Sequence, residues 1–262
     1  MRFKIIGMVC LSLLFGAYFV GCDQEPTGPS SRSGRLIVYL TDSPGAVDAV
    51  YITFSDISAH IDSEWVTVHL KADSTINLLD YSNGKTLILA QDDVPAGRYT
   101  QIRVAIKSAR IIADGSSFSL DVPSGAQSGL KFGLNLDVQP GNSYELVIDF
   151  DVSRSIVVNG PKNALGSYKL KPHIRIISKP VTGSIAGIVT NASDLPVAYA
   201  IQDADTITST MVDPMSGSFV LAFLPPGSYT VALRDTLGRA FRRDSVPVSP
   251  GKSYDLGMIT LQ

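Results

Sequence analysis

Beyond residue 33 the chain is written in short alternations of apolar and polar side chains. That is the period of a strand with one face in a core and the other in water. Ile102, Val104 and Ile106 oppose Gln101 and Arg103, and the same rhythm carries Phe118-Leu120-Val122, Leu130-Phe132-Leu134-Leu136 and Tyr144-Leu146-Ile148-Phe150. Earlier, the apolar run Leu36 to Leu40 stops at Thr41-Asp42-Ser43-Pro44-Gly45, where Pro and Gly predict a turn. Val50, Ile52 and Phe54 share one phase, whereas Ile57, Ala59 and Ile61 share the other. Side chains alternate strictly along a strand, so an inserted residue near Ser55-Asp56, a bulge, is the economical reading. Asp62-Ser63-Glu64 then forms the tip of a hairpin that returns through Trp65, Val66, Val68 and Leu70.

Further strands are predicted at Ile76–Leu79, Leu87–Ala90, Ile156–Val158, Tyr168–Leu170 and Ile174–Ile176. After a linker at 178–182 a second alternating set begins at Ile185–Val189 and continues through Val197–Ile201, Thr206–Val212, Phe219–Ala222, Tyr229–Leu233, Val246–Val248 and Leu256–Leu261. No stretch past the first 21 residues carries a helical period. The pattern predicts an all-β protein, with two β-sandwich domains in tandem at 34–177 and 183–262.

The amino terminus follows a different rule. Arg2-Phe3-Lys4 precedes an apolar run from Ile5 to Val20, interrupted by Ser12 and Gly16, and then come Gly21 and Cys22. Cations, a short apolar segment and a small residue are the parts of a secretory signal, and the run is marginally short for a permanent span. Phe19-Val20-Gly21-Cys22 resembles the bacterial lipobox, although Phe19 stands where that motif usually has an aliphatic residue. The resemblance implies a signal peptide at 1–21 and a diacylglycerol thioether on Cys22. It also implies a flexible tether at 22–33 and residence in the bacterial cell envelope, periplasmic or surface-exposed. Plain secretion and an uncleaved anchor are the alternatives. Cys10 would leave with the signal, so the mature chain would hold no free thiol, no disulfide and no cysteine-based metal site.

Charge narrows the partners. The formal charge is −2, and loss of Arg2 and Lys4 would make it −4. With no Lys/Arg cluster, that balance argues against nucleic acid and leaves the membrane, a glycan or an envelope protein.

Several motifs agree, in order, with a known family. Gly34-Arg-Leu-Ile-Val-Tyr-Leu-Thr-Asp-Ser-Pro44, Val94-Pro-Ala-Gly-Arg-Tyr-Thr-Gln-Ile-Arg103, Val122-Pro-Ser-Gly125, Ser128-Gly-Leu-Lys131, Ile148-Asp-Phe-Asp-Val-Ser-Arg-Ser155 and Leu170-Lys-Pro172 resemble the bacterial lipoprotein domain called domain of unknown function 4382. The resemblance implies an exported β domain and supplies no catalytic residue. Gly183-Ser-Ile-Ala-Gly-Ile-Val189, Pro196-Val-Ala-Tyr-Ala200 and the segment from Gly217 through Leu224-Pro-Pro-Gly-Ser-Tyr229 to Val231 resemble the carboxypeptidase regulatory-like domain. That family is a small transthyretin-like sandwich related to carbohydrate-binding-type folds, and it carries no peptidase site. The first loop here, Asn191 to Pro196, lacks the glycine usual before the proline.

Candidate chemistry is sparse. His60, His69 and His173 have no zinc-ligand spacing, and no serine sits in a Gly-x-Ser-x-Gly elbow. No cofactor is implied. Asp149 and Asp151 share a strand face and are read first as solvated; calcium or a carboxylate pair for glycoside hydrolysis are the weaker readings. Trp65, beside an acidic hairpin tip, is a candidate sugar-stacking residue, against the plainer reading of packing. Three functions stay open: a non-enzymatic lipid-anchored binding module for glycan or protein, a structural or spacer component of an envelope assembly, and a carboxylate-dependent hydrolase.

Overall fold

The computed structural model describes residues 32–43, 47–71, 75–160 and 168–262. The first domain contains β1 (Ser33–Ser43), β2 (Ala49–Ile61), β3 (Glu64–Thr67), β4 (Thr75–Asn77), β5 (Leu87–Pro95) and β6 (Gly97–Ala113). It continues with β7 (Ser116–Leu120), β8 (Leu130–Val138), β9 (Ser143–Asp151), β10 (Ile156–Val158), β11 (Tyr168–Leu170) and β12 (Ile174–Ser178). One sheet runs β12-β9-β1-β5; the other runs β3-β2-β6-β7, with β4 also on β2 and β8 also on β6. Leu36, Val38 and Leu40 of β1 share one buried core with Ile52, Phe54 and Ile57 of β2, Ile102, Val104 and Ile106 of β6, and Ile148 and Phe150 of β9. Each such side chain contributes about 1.5–3 kcal/mol by leaving water, which is why the alternation is strict.

The second domain contains β13 (Gly183–Val189), β14 (Val197–Gln202), β15 (Asp205–Met211), β16 (Ser218–Leu224), β17 (Gly227–Arg234), β18 (Ala240–Val248) and β19 (Ser253–Ile259). Its sheets run β16-β13-β19 and β15-β14-β17-β18. A separate core of Ile185, Phe219, Leu221, Tyr229, Val231 and Leu233 lies with this domain. The molecule is all-β, and among the described residues its helices are single turns such as α1 (Ser124–Ser128) and α2 (Val152–Ser155).

The phase change in β2 is a real bulge. Its register against β6 shifts at Thr53/Phe54 and again at Phe54/Asp56, and Ser55 is left exposed. The β2–β3 hairpin turns through Asp62, at φ 52°, and Ile61 pairs with Glu64, so Glu64 opens the return strand.

Both domains use the same corner. Pro95-Ala96-Gly97-Arg98-Tyr99 and Pro225-Pro226-Gly227-Ser228-Tyr229 each turn into a strand whose tyrosine is fully buried. The Tyr99 hydroxyl donates to the Pro95 carbonyl at 2.9 Å, and the Tyr229 hydroxyl to the Pro225 carbonyl at 2.8 Å. The proline ring fixes the chain direction and the phenol secures its carbonyl.

Two sequence expectations fail at the end of β1. Thr41-Asp42-Ser43 is not a turn: the strand continues through Ser43, pairs in parallel with Asp149, Phe150 and Asp151 of β9, and all three residues are buried. Asp149 and Asp151 are likewise not on a solvated face; each is only 4% exposed. In β9 the alternate positions Leu146, Ile148 and Phe150 are buried too, so this strand end is covered on both faces. The second domain meets the first here, and the odd positions that would face water in an isolated sandwich are shielded.

Candidate functional site

Two polar clusters stand out, one on a sheet face and one in the seam between domains. On the face, β2–β3 register sets Trp65 directly opposite His60, with ring centroids 5.0 Å apart in an edge arrangement. Arg103 on β6 lies over the indole, its guanidinium carbon 4.7 Å from the ring centroid, and the Lys131 ammonium on β8 is 5.4 Å away. Arg103 is steered from below: its Nε donates to Ser58 Oγ at 3.0 Å and its guanidinium pairs with Asp56 at 3.4 Å. Gly129 makes room for it, since a Cβ there would lie 2.5 Å from Arg103 Cγ. Trp65 is half-buried in this company. The structure thus gives the indole cationic neighbours, an arrangement that attracts through the ring quadrupole and leaves positive charge beside an aromatic edge.

The seam is acidic. Arg175 on β12 grips Asp149 through both Nε, at 2.9 Å, and a terminal nitrogen. Asp151 caps α2: its carboxylate accepts from the Arg154 backbone N–H at 3.0 Å, from Arg154 Nε at 2.6 Å and from Ser153 Oγ at 2.6 Å. Ser155 Oγ donates to the Asp151 carbonyl and accepts from the His173 N–H at 2.8 Å. Asp42 receives the Val152 N–H at 3.2 Å on one oxygen, whereas its other oxygen has no hydrogen-bond partner among the described residues.

Electrostatics follow from this packing. Burial pushes the Asp42 carboxyl well above the usual carboxylate range, and the carboxylates of Asp149 and Asp151 add to the push. Asp149 is also raised by burial, which Arg175 offsets only in part. Burial holds His173 below its ordinary value, with Arg154 acting in the same direction.

Across the seam, Ser43 Oγ and Thr208 Oγ1 are 2.8 Å apart. Asn83 reads the β16 backbone, accepting the Val220 N–H at 2.5 Å. Gly84 (φ +79°) lies so close to β16 that a Cβ there would sit 3.3 Å from Val220 Cγ1. A cavity of about 10 Å³, room for one water, lies at this corner, lined by Thr41, Asp42, Asp149, Thr208 and Thr210 among others.

The structure therefore joins Asp149 and Asp151 in one cluster and keeps Trp65 well apart in another setting. Cys22, together with the signal peptide and nearly all of the tether, lies outside the described residues. Among the described residues no group of three or more His, Cys, Asp or Glu side chains is arranged to hold a metal, and no helix is long and apolar enough to cross a membrane. The carboxylate oxygens of Asp149 and Asp151 expected for calcium are largely engaged by arginine. Sequence reasoning missed Asp42, Ser43, Arg175 and Thr208. Only the Asp42-Ser43-Pro44 motif drew notice, and the residues that bury it lie more than a hundred positions away.

A family profile described as Domain of unknown function (DUF4382) matches residues 33–172. No curated protein matches the chain. Among solved structures, the Bacillus anthracis TIE protein aligns at 10% identity and TM-score 0.24, covering 88% of this chain and 51% of that one. BcpA, the major pilin subunit of Bacillus cereus, aligns at 11% identity and TM-score 0.21, covering 88% and 70%. A fimbrial protein from Bacteroides ovatus aligns at 10% identity and TM-score 0.22, covering 88% and 50%. The chain spans about half the length of the first and third of these. TM-scores this low reflect shared strand content and carry no inference about function.

Proposed function

For a chain that belongs to the DUF4382 family, we propose a non-enzymatic, lipid-anchored role in the bacterial cell envelope, as a binding module for an acidic glycan. The supporting observation is the Trp65 face, where an indole, His60, Arg103 and Lys131 lie together on the outer side of a rigid sheet. An indole face suits the apolar face of a sugar ring, and the two cations suit carboxylates along the polymer. The anchor is Cys22, as the Phe19-Val20-Gly21-Cys22 segment implies. The second domain, in this reading, is a carboxypeptidase regulatory-like sandwich that holds the first at a set distance and angle.

The hydrolase reading loses its support, because Asp149 and Asp151 are paired with arginines beside a cavity with room for one water. A spacer role in an envelope assembly is the second reading. The seam favours it, since Ser43–Thr208 and Asn83–Val220 tie the two sandwiches together.

Binding of the detergent-purified protein to an array of acidic and neutral glycans tests the first reading. Acidic glycans should be retained, Lys131→Ala should weaken them, and Trp65→Ala should abolish retention while preserving the thermal melt. A blank array, or binding that Trp65→Ala leaves intact, would sink the proposal; cross-linking in intact envelopes would then test the spacer.

A further inference from the structure

Charge in the seam does not balance. Asp149 pairs with Arg175 and Asp151 with Arg154, while among the described residues Asp42 has no cationic partner. A lone carboxylate 5% exposed is expensive to bury unless something neutralises it. The two buried side-chain oxygens without a hydrogen-bond partner among the described residues are Asp42 Oδ2 and Thr210 Oγ1. Thr210 is 2% exposed, and both residues line the same water-sized cavity, whose lining also includes Thr41, Thr208 and Asp149. Residues from both domains thus surround the hole: Thr41, Asp42 and Asp149 on one side, Thr208 and Thr210 on the other.

From this geometry we infer that the seam is a binding site for one small monovalent cation, of sodium size, held between Asp42 and Thr210 and joining the two domains. A water there would satisfy both oxygens and leave a proton on Asp42 as its neutraliser, a role that a bound cation would take over. A single monovalent ion satisfies the oxygens and also balances three carboxylates against two guanidiniums. The lining residues Thr41, Asp42, Asp149, Thr208, Ser209 and Thr210 carry side-chain oxygens, the donor type a hard cation prefers, and the one Asp42 oxygen left free argues for charge +1 over +2. The site is independent of the Trp65 face, so neither proposal stands or falls with the other.

The test is the thermal melt of the full protein in mild detergent, in sodium, lithium, potassium or N-methylglucamine chloride at equal ionic strength. A bound ion stabilises the folded state by mass action, so Tm should rise with sodium concentration and stand several degrees above that in N-methylglucamine. Asp42→Asn and Thr210→Val should each lose the difference between the salts. The wild-type comparison decides the matter even if a variant does not fold. Equal melting in all four salts would overturn the site and leave a proton on Asp42 to neutralise the seam. Retention of the full sodium effect in Asp42→Asn would overturn it as well.

Discussion

Ser43 Oγ and Thr208 Oγ1, 165 residues apart in the chain, meet at 2.8 Å in a buried seam where one sandwich ends and the other begins. Ser43 also lies 3.5 Å from Asp149 Oδ1, so its hydroxyl connects the acidic cluster to the second domain. Buried hydroxyl pairs of this kind are worth about 1 kcal/mol net, and more when one partner is left stranded. Ser43→Ala and Thr208→Val should each destabilise by about 1–2 kcal/mol. Their effects should be less than additive in a double-mutant cycle read by urea unfolding, because each removes the same contact.

The Asp149–Arg175 pair should be far more sensitive. Asp149 is buried and Arg175 is only one-fifth exposed on its side chain. Removing one partner strands a charge out of water, so Arg175→Ala should cost about 3–5 kcal/mol. A chemical-denaturation midpoint shifted by less than about 1 kcal/mol would show that water reaches the cluster.

Tyr99 offers a test in alkali. Burial, with Asp62 adding to it, pushes its hydroxyl up to about 12, above the ordinary tyrosine value of 10.0. The folded value is the higher one, so the contribution to stability is complete below the unfolded value. It fades as pH rises through that of the folded state. Ultraviolet titration should find a phenol still protonated after exposed tyrosines have ionised, and Tyr99→Phe should remove it. The same substitution should cost about 1 kcal/mol at neutral pH through the lost bond to Pro95.

Leu195 carries strain that a substitution can relieve. It sits at φ 52°, ψ 58° before Pro196 and is 47% exposed. A left-handed conformation costs a leucine roughly 1 kcal/mol and costs glycine little. Leu195→Gly should therefore raise the thermal midpoint by a few degrees. A fall in Tm would mean that the exposed leucine packs more strongly than its surroundings indicate.

Much of this architecture was legible in the residues. The phase change between Phe54 and Ile57 located a bulge to within a residue, because alternation admits no slack when one face is buried. The Leu-Pro-Pro-Gly-Ser-Tyr segment announced both a turn and an inward tyrosine. Trp65 was legible as a candidate sugar-stacking residue against the plainer reading of packing, but its cationic neighbours were not legible: Arg103 and Lys131 come from β6 and β8, and only sheet order brings them to the indole.

The acidic seam was the least legible feature. Asp149 and Asp151 have the spacing of a solvated strand face, Asp42 sits in a run that reads as a turn, and nothing adjacent to them in the chain says otherwise. By itself the sequence determined most of the strands, their inward faces, the two separate cores and the corner at Tyr229, because those depend on the local alternation of side chains that leave water with side chains that do not. Tertiary structure alone decided which outward faces stay wet. Parallel pairing with β9 carried β1 through Thr41-Asp42-Ser43, and contact with the second domain through Ser43–Thr208 turned a polar face into a charged seam, since desolvation is set by whatever comes to lie on a surface, however distant in the chain.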